Sequence, residues 1–140
     1  MHLETEKIKE LLPHRSPLLL VDEAFLEEDT VTASLYIDPD WNIFKGHFPS
    51  NPVLPGIYLT EAMAQSADLL LLSMPQNKGK LPYFAGINKM RFLRPVLPGT
   101  VVTMKAKISQ DAGMGLYECS VFAFLEEKKA AQGTISLAIR

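Results

Sequence analysis

The chain has 140 residues, of which 47% are apolar and 21% are charged, a balance that excludes a disordered or collagen-like protein. Its length is that of one folded unit, and we predict a single domain over residues 1–140. Fourteen basic and sixteen acidic residues give a net charge of −2, so no overall positive field exists to attract nucleic acid or an anionic membrane.

Two further features set expectations about the compartment. The single cysteine, Cys119, cannot form an internal disulfide, and the first residues contain no apolar run of the kind that a secretory signal needs. We therefore expect a cytoplasmic protein with a buried free thiol at Cys119. The longest apolar stretch, residues 57–74, contains Glu61, Gln65 and Asp68, which makes it a poor candidate for a membrane span.

The first part of the chain predicts a short helix, two strands and a loop. Residues 5–12 favour a helix with Thr5 as its N-cap, and the run Leu-Leu-Leu-Val at 18–21 is typical of a compact strand. Apolar and polar residues alternate over 31–38, which predicts a strand with one buried face. Three prolines and two glycines within residues 40–56 indicate a long loop without regular structure.

The rest of the chain predicts one long helix followed by strands. The helix covers residues 57–74, and turn residues follow it at 75–79. Five further strands are predicted, at 83–87, 90–94, 101–108, 117–124 and 134–139. Because only one long helix is available to cover such a sheet, we predict an α+β fold in which a curved antiparallel sheet wraps around a central helix.

The long helix carries a narrow polar stripe. Glu61, Gln65 and Asp68 lie at i, i+4 and i+7 on one face, and no basic residue occurs between Gly56 and Gln76. This asymmetry favours burial, which would raise the pKa of a carboxyl group above its usual value of about 4.3 and allow it to donate a proton. The alternative is that Glu61 faces solvent through a gap in the sheet and that Asp68 is structural.

A histidine precedes the helix in a constrained setting. His47 stands between the permissive Gly46 and the rigid Pro49, and histidine titrates near neutral pH, so His47 is a candidate general base. The alternative is an ordinary loop histidine. Pro55 and Gly56 let a ligand approach the exposed N–H groups at the helix start, where an oxyanion would be stabilised.

Six ordered motifs carry a resemblance to a known family. They are LPHRSPLLLVD at 12–22, GHFP at 46–49, PVLPG at 52–56, EAMAQ at 61–65, YFAGI at 83–87 and RFLRPVLPG at 91–99. Together they closely resemble the hot-dog 3-hydroxyacyl-carrier-protein dehydratases of the FabZ type. The chain departs from many of these relatives at Ser16, where they have an aromatic residue, and at Asn88, where they have an acidic one. These departures leave the acyl preference and the pathway open.

The resemblance implies a fold, a reaction and an assembly. It implies a hot-dog fold, in which a long helix is wrapped by an antiparallel sheet. It assigns His47 as the catalytic histidine and Glu61 as the catalytic acid. The family's active unit is a homodimer, often within a trimer of dimers, and His47 of one chain is expected to meet Glu61 of the other. The expected substrate is a 3-hydroxyacyl group on the phosphopantetheine arm of an acyl carrier protein.

The chemistry of that reaction needs two opposed proton carriers. We assign His47 as the base at C2, Glu61 as the acid at the C3 oxygen, and backbone N–H groups near Gly56 as donors to the thioester oxygen. No metal or cofactor is expected, because the three histidines lack ligand spacing and no dinucleotide-binding motif occurs. The alternative functions are a hot-dog acyl thioesterase, against which the His-Phe-Pro motif argues, and a non-catalytic acyl-binding module.

Two supporting roles are also predicted. Gln65, one turn beyond Glu61, is placed to orient its carboxyl group, although an amide there also suits a structural role. Lys89, Arg91 and Arg94 form a basic cluster that we predict to dock the anionic carrier protein. The alternative is a charged strand face that only meets solvent.

Overall fold

A seven-stranded antiparallel sheet is the main element of the protein, and the computed structural model describes all residues from Met1 to Arg140. The strands are β1 (His2–Leu3), β2 (Glu23–Glu27), β3 (Thr30–Tyr36), β4 (Pro82–Phe92), β5 (Val101–Gly113), β6 (Leu116–Leu125) and β7 (Lys128–Ile139). Two α-helices, α1 (Thr5–Leu11) and α2 (Gly56–Leu72), complete the fold. The strand order is β1-β2-β3-β5-β6-β7-β4, so β4 is an edge strand that pairs only with β7.

The alternating pattern on the central strands is confirmed. Val31, Ala33 and Leu35 on β3 are buried, and so are Val102 and Met104 on the adjacent β5. In a strand these positions share one face, and that face packs against α2. The predicted antiparallel sheet around a central helix is therefore the observed architecture.

Helix α2 is buried on nearly all sides. Thirteen of its seventeen residues are buried, which one sheet face alone does not explain. The sheet covers one side, and α1 together with the irregular segment 12–22 covers the other. This double cover explains why apolar residues occur on nearly every side of the helix outside its polar stripe. No helix of the protein has the length and apolar character that crossing a membrane requires.

Several predicted boundaries were wrong. Residues 18–21 form no strand, and the strand next to them is β2 instead. The two predicted strands at 83–87 and 90–94 form the single strand β4, which shifts its register on β7 at two places. Thr5 is the first residue of α1 and not its N-cap, which is Glu4 without a capping side-chain hydrogen bond.

Candidate active site

The loop before α2 fixes the orientation of His47. Its Nδ1 lies 2.9 Å from the carbonyl oxygen of Val53, and the N–H of Val53 donates to the His47 carbonyl at 3.0 Å. The imidazole ring also stacks on Phe48, with 4.1 Å between ring centroids. Because a carbonyl oxygen only accepts hydrogen bonds, Nδ1 carries the proton and donates it to Val53. The lone pair of Nε2 is therefore left to take a proton from a ligand.

A cavity connects His47 with the start of α2. It has a volume of about 530 Å³, and its lining includes His47, Gly56, Ile57, Phe92 and Arg94. The N–H groups of Gly56 and Ile57 have no partner in the protein, since the N-cap Pro55 provides no capping side chain. A Cβ atom at Gly56 would lie 3.0 Å from the Phe92 ring, so a larger residue at position 56 would force this ring to move.

The carboxyl group of Glu61 lies one turn further along α2. Gln65 donates from Nε2 to Glu61 Oε2 at 2.8 Å, which confirms the predicted contact between these side chains. The same amide accepts the Leu20 N–H at Oε1 (2.8 Å) and donates to the Leu18 carbonyl (2.6 Å). Gln65 thus links the irregular segment to α2 and is hydrogen-bonded to Glu61, and its role in orienting that carboxyl group stays a prediction.

A second histidine contacts Glu61, and the sequence analysis did not single it out. His14 Nε2 lies 3.4 Å from Glu61 Oε2, and the two side chains are 20% and 24% exposed. His14 follows α1 and comes close to Glu61 only through the packing of α1 and its following segment on α2. The only sequence signal that included His14 was the first of the six family motifs, which begins Leu-Pro-His-Arg at residues 12–15.

The predicted site residues form two groups within one protomer. His47, Gly56 and Arg94 line one cavity, whereas Glu61 and Gln65 are hydrogen-bonded to each other. No hydrogen bond or ion pair joins His47 with Glu61. Within a single protomer the candidate base, His47, and the candidate acid, Glu61, therefore do not contact each other.

The predicted basic cluster lies on and just beyond the edge strand β4. Lys89, Arg91 and Arg94 are all exposed, and none of them forms a salt bridge with a carboxylate. Lys89 has a positive φ of 54°, at the place where β4 shifts its register on β7. Arg94 belongs to the basic cluster and also lines the His47 cavity. The free positive charges therefore begin at the cavity and continue along the edge of the sheet.

Asp68, the third member of the polar stripe, is a buried acid without a partner. It is 3% exposed, forms no hydrogen bond, and its Oδ1 is sealed from solvent. Burial, and secondarily the charge of Glu61, raise the pKa of Asp68 well above its ordinary value of 3.8. Burial and the charges of Asp68 and Glu118 raise the pKa of Cys119 to about 12, so the predicted buried thiol is confirmed and stays protonated.

Asp68 should make the stability of the protein depend on pH. Because the folded state holds this proton more tightly than the unfolded chain, the free energy of unfolding contributed by Asp68 falls as the pH rises above 3.8. Asp68→Asn should remove this part of the pH dependence, so the variant should lose less stability than the wild type between about pH 4 and neutral pH. Urea unfolding at a series of pH values measures the difference.

The matched control is Asp40→Asn, because Asp40 is exposed and its side chain accepts no hydrogen bond. It should leave the pH dependence as in the wild type. Parallel stability profiles for the wild type and Asp68→Asn would contradict the assignment of Asp68 as a buried neutral acid.

One titratable cluster escaped the sequence analysis. The ligand atoms of His2, Glu4 and Glu23 lie within 4.8 Å of one another, although their spacing in the sequence matches no metal motif. His2 pairs with Glu23 at 2.9 Å and stacks on Phe25. The cluster lies at the β1 edge of the sheet, whereas the His47 cavity includes residues of β4 at the other edge. We assign it no part in the site.

Comparisons with known proteins place the chain in a family. Residues 23–134 match the model of the ApeI-like family, described as ApeI dehydratase. The chain is 42% identical to the 3-hydroxyacyl-(acyl-carrier-protein) dehydratase FabZ of Streptococcus thermophilus over 141 aligned positions, which cover 99% of both chains. It is also 42% identical to the FabZ dehydratase of Streptococcus pneumoniae, with 98% of both chains covered.

Solved structures confirm the hot-dog fold at low sequence identity. The dehydratase heterocomplex ApeI:P from Xenorhabdus doucetiae superposes with a TM-score of 0.77 at 15% identity, covering 95% of this chain and 90% of the other. A hypothetical thioesterase from Streptococcus pneumoniae, solved with coenzyme A, superposes with a TM-score of 0.63 at 15% identity, covering 83% and 82%. At such identities the likeness concerns the fold alone, so the full-length relatives decide the family. The chain belongs to the FabZ-type family of 3-hydroxyacyl-(acyl-carrier-protein) dehydratases.

Proposed function

We propose that the protein removes water from 3-hydroxyacyl thioesters of acyl carrier protein to give trans-2-enoyl thioesters, in fatty acid synthesis or a related acyl-chain synthesis. The observation that carries this proposal is the 42% identity to FabZ dehydratases over 99% of both chains. The geometry of His47 supports it, because the Nδ1 contact with Val53 leaves Nε2 free to act as a base.

The reaction proceeds as an elimination with balanced proton transfers. His47 Nε2 takes the proton from C2, and the electron pair of that C–H bond forms the C2–C3 double bond as the C3–O bond breaks. Glu61, in its neutral form, gives its proton to the departing oxygen, which leaves as water. The proton on His47 returns to Glu61 through solvent before the next turnover. Hydration of the enoyl thioester is the reverse sequence.

The start of α2 serves the thioester carbonyl. Negative charge develops on this oxygen when C2 loses its proton, and the unpaired N–H groups of Gly56 and Ile57 line the same cavity as His47. Backbone donors at a helix start are already oriented and carry partial positive charge, so they stabilise the oxyanion without rearrangement. The absence of a side chain at Gly56 keeps this approach open beside Phe92.

We assign the complete site to a homodimer, in which His47 of one protomer faces Glu61 of the partner subunit. This arrangement accounts for the lack of contact between the two residues within one chain. The free edge of β4 also exposes large apolar side chains, and Ile57 at the start of α2 is 76% exposed. The exposed side chains on β4 include Tyr83, Phe84, Ile87 and Phe92. A second copy of the chain would cover this surface.

The basic cluster is the proposed docking surface for the carrier protein. Combining Lys89→Glu with Arg91→Glu should raise KM for an acyl-carrier-protein substrate about tenfold, equivalent to about 1.4 kcal/mol of binding free energy. It should leave KM unchanged for the same acyl group on N-acetylcysteamine, which lacks the carrier. Steady-state kinetics with both substrates measure the difference.

Lys107→Glu is the matched control for docking, because Lys107 is an exposed lysine on β5, near the middle of the sheet. It should leave KM for both substrates as in the wild type. An equal rise in KM for the carrier-free substrate in the double variant would assign these side chains to the acyl site instead of a docking surface.

An assay with purified protein tests the proposed reaction. Crotonyl thioester should lose its ultraviolet enoyl absorbance as water adds, and 3-hydroxybutyryl thioester should gain that absorbance. Release of free thiol without an absorbance change of this kind would identify a thioesterase. Ligand binding without either signal would identify an acyl-binding module.

A further inference from the structure

His14 makes a contact with the proposed acid that the mechanism above does not use. Its Nε2 lies 3.4 Å from Glu61 Oε2, and both side chains are mostly buried. The neighbouring Arg15 fixes the backbone that carries this histidine, because its guanidinium donates to the carbonyl groups of His14 (2.6 Å) and Leu12 (2.9 Å). The imidazole is therefore held in place next to Glu61.

A second donor reaches the same oxygen atom of Glu61. Gln65 is fully buried, and its Nε2 donates to Oε2 at 2.8 Å. Its amide cannot turn over, because Oε1 accepts the Leu20 N–H and Nε2 also donates to the Leu18 carbonyl. An N–H group therefore always points from Gln65 at Oε2, and this oxygen acts as an acceptor.

The surroundings of His14 identify which of its nitrogens carries the proton. Oε2 already accepts one hydrogen bond, so it presents only a lone pair to His14 Nε2. An unprotonated Nε2 would bring a second lone pair to within 3.4 Å of it, which is repulsive, whereas an Nε2–H dipole at that distance is attracted to Oε2, although the contact does not have the geometry of a hydrogen bond. The other nitrogen, Nδ1, is sealed from solvent without a partner, so it has no hydrogen bond in either neutral form of the ring. The neutral ring therefore carries its proton on Nε2.

We propose that His14 is a positioning residue for the catalytic acid. Gln65 directs an N–H group at Oε2, and His14 brings its Nε2 to within 3.4 Å of the same atom, so Oε2 is the carbonyl oxygen of the neutral carboxyl group and Oε1 carries the transferable proton. Oε1 is then the atom that gives its proton to the departing C3 oxygen. This inference rests on the proposed dehydratase function and specifies which oxygen of Glu61 donates the proton in that reaction.

Two substitutions test the role of His14. His14→Phe keeps a ring of similar size but removes the N–H group, and it should lower kcat about tenfold with KM changed by less than about twofold. His14→Gln provides a side-chain N–H and should recover most of that loss. A histidine with only a packing role would favour Phe over Gln, so an unchanged kcat in His14→Phe, or lower activity in His14→Gln than in His14→Phe, would overturn the proposal.

Nitrogen-15 NMR of histidine-labelled protein provides a test that needs no substrate and no variant. The spectrum should show the His14 ring with its proton on Nε2, and a ring protonated on Nδ1 alone would overturn the proposal. The wild-type protein in the enoyl assay separates the two claims. If the wild-type protein does not hydrate the enoyl thioester, the proposed function is wrong. If it does, but the His14 variants or the NMR spectrum give the contrary result, only the role of His14 is wrong.

Discussion

His47→Ala is expected to lower the turnover of a 3-hydroxyacyl thioester by about 10²–10⁴-fold, the usual contribution of a positioned general base. The imidazole is held by its Nδ1 contact with the Val53 carbonyl and by stacking on Phe48, so its Nε2 is directed by the loop itself. Alanine removes that nitrogen but keeps the backbone bond between Val53 N–H and residue 47. The enoyl absorbance assay measures the loss, and thermal unfolding checks that the fold survives.

His2→Ala is the matched control for this substitution. His2 is an exposed histidine on β1, at the sheet edge opposite β4, and it should be replaceable without loss of turnover. If His47→Ala retained wild-type turnover, His47 would have to be an ordinary loop histidine, and the assignment of the base would be wrong.

Glu61→Gln is expected to reduce turnover by a similar factor of about 10²–10⁴. Glutamine has almost the same shape, and its amide oxygen can still accept the N–H of Gln65, so the local hydrogen bond survives. Its NH₂ group, however, does not act as an acid, and the departing oxygen would leave as hydroxide. Both kcat and kcat/KM should fall together, because the proton transfer is made only in the transition state.

Glu27→Gln is the control for the acid, because Glu27 is an exposed glutamate on β2. Combining His47→Ala with Glu61→Gln should cost much less than the product of the two single losses, since the base and the acid act in one step. Fully multiplicative losses, or a Glu61→Gln protein with normal turnover, would contradict the proposed pairing.

The alternation of apolar residues was enough to predict most of the sheet. On β3 and the first half of β5 every second side chain is buried, and these positions carry apolar residues in the sequence. The helix was predicted to within two residues at each end because turn residues bound it on both sides. The prediction of a strand at 18–21 was wrong because Leu20 and Val21 are buried by tertiary packing and do not belong to a paired strand. Strand β2 was not predicted, because only Ala24 and Leu26 alternate as buried residues and charged residues stand at both ends of the strand.

The candidate site was only partly predictable for a similar reason. The setting of His47 and the contact between Glu61 and Gln65 are local, since one depends on a loop motif and the other on helix spacing. The contact between His14 and Glu61 depends on how the segment after α1 crosses α2, which no spacing records. The burial of Asp68 likewise depends on the tertiary packing around α2, which the spacing of the polar stripe does not record.

Activity of a mixed dimer tests the central claim most directly. His47→Ala and Glu61→Gln chains, co-expressed with different tags and purified through both, carry one complete site per dimer if each site combines His47 of one chain with Glu61 of the other. We predict about half of the wild-type turnover per mixed dimer, because a two-fold symmetric dimer holds two such sites. If the mixed dimer were as inactive as either parent, the base and the acid would not act across subunits, and the proposed shared site would be wrong.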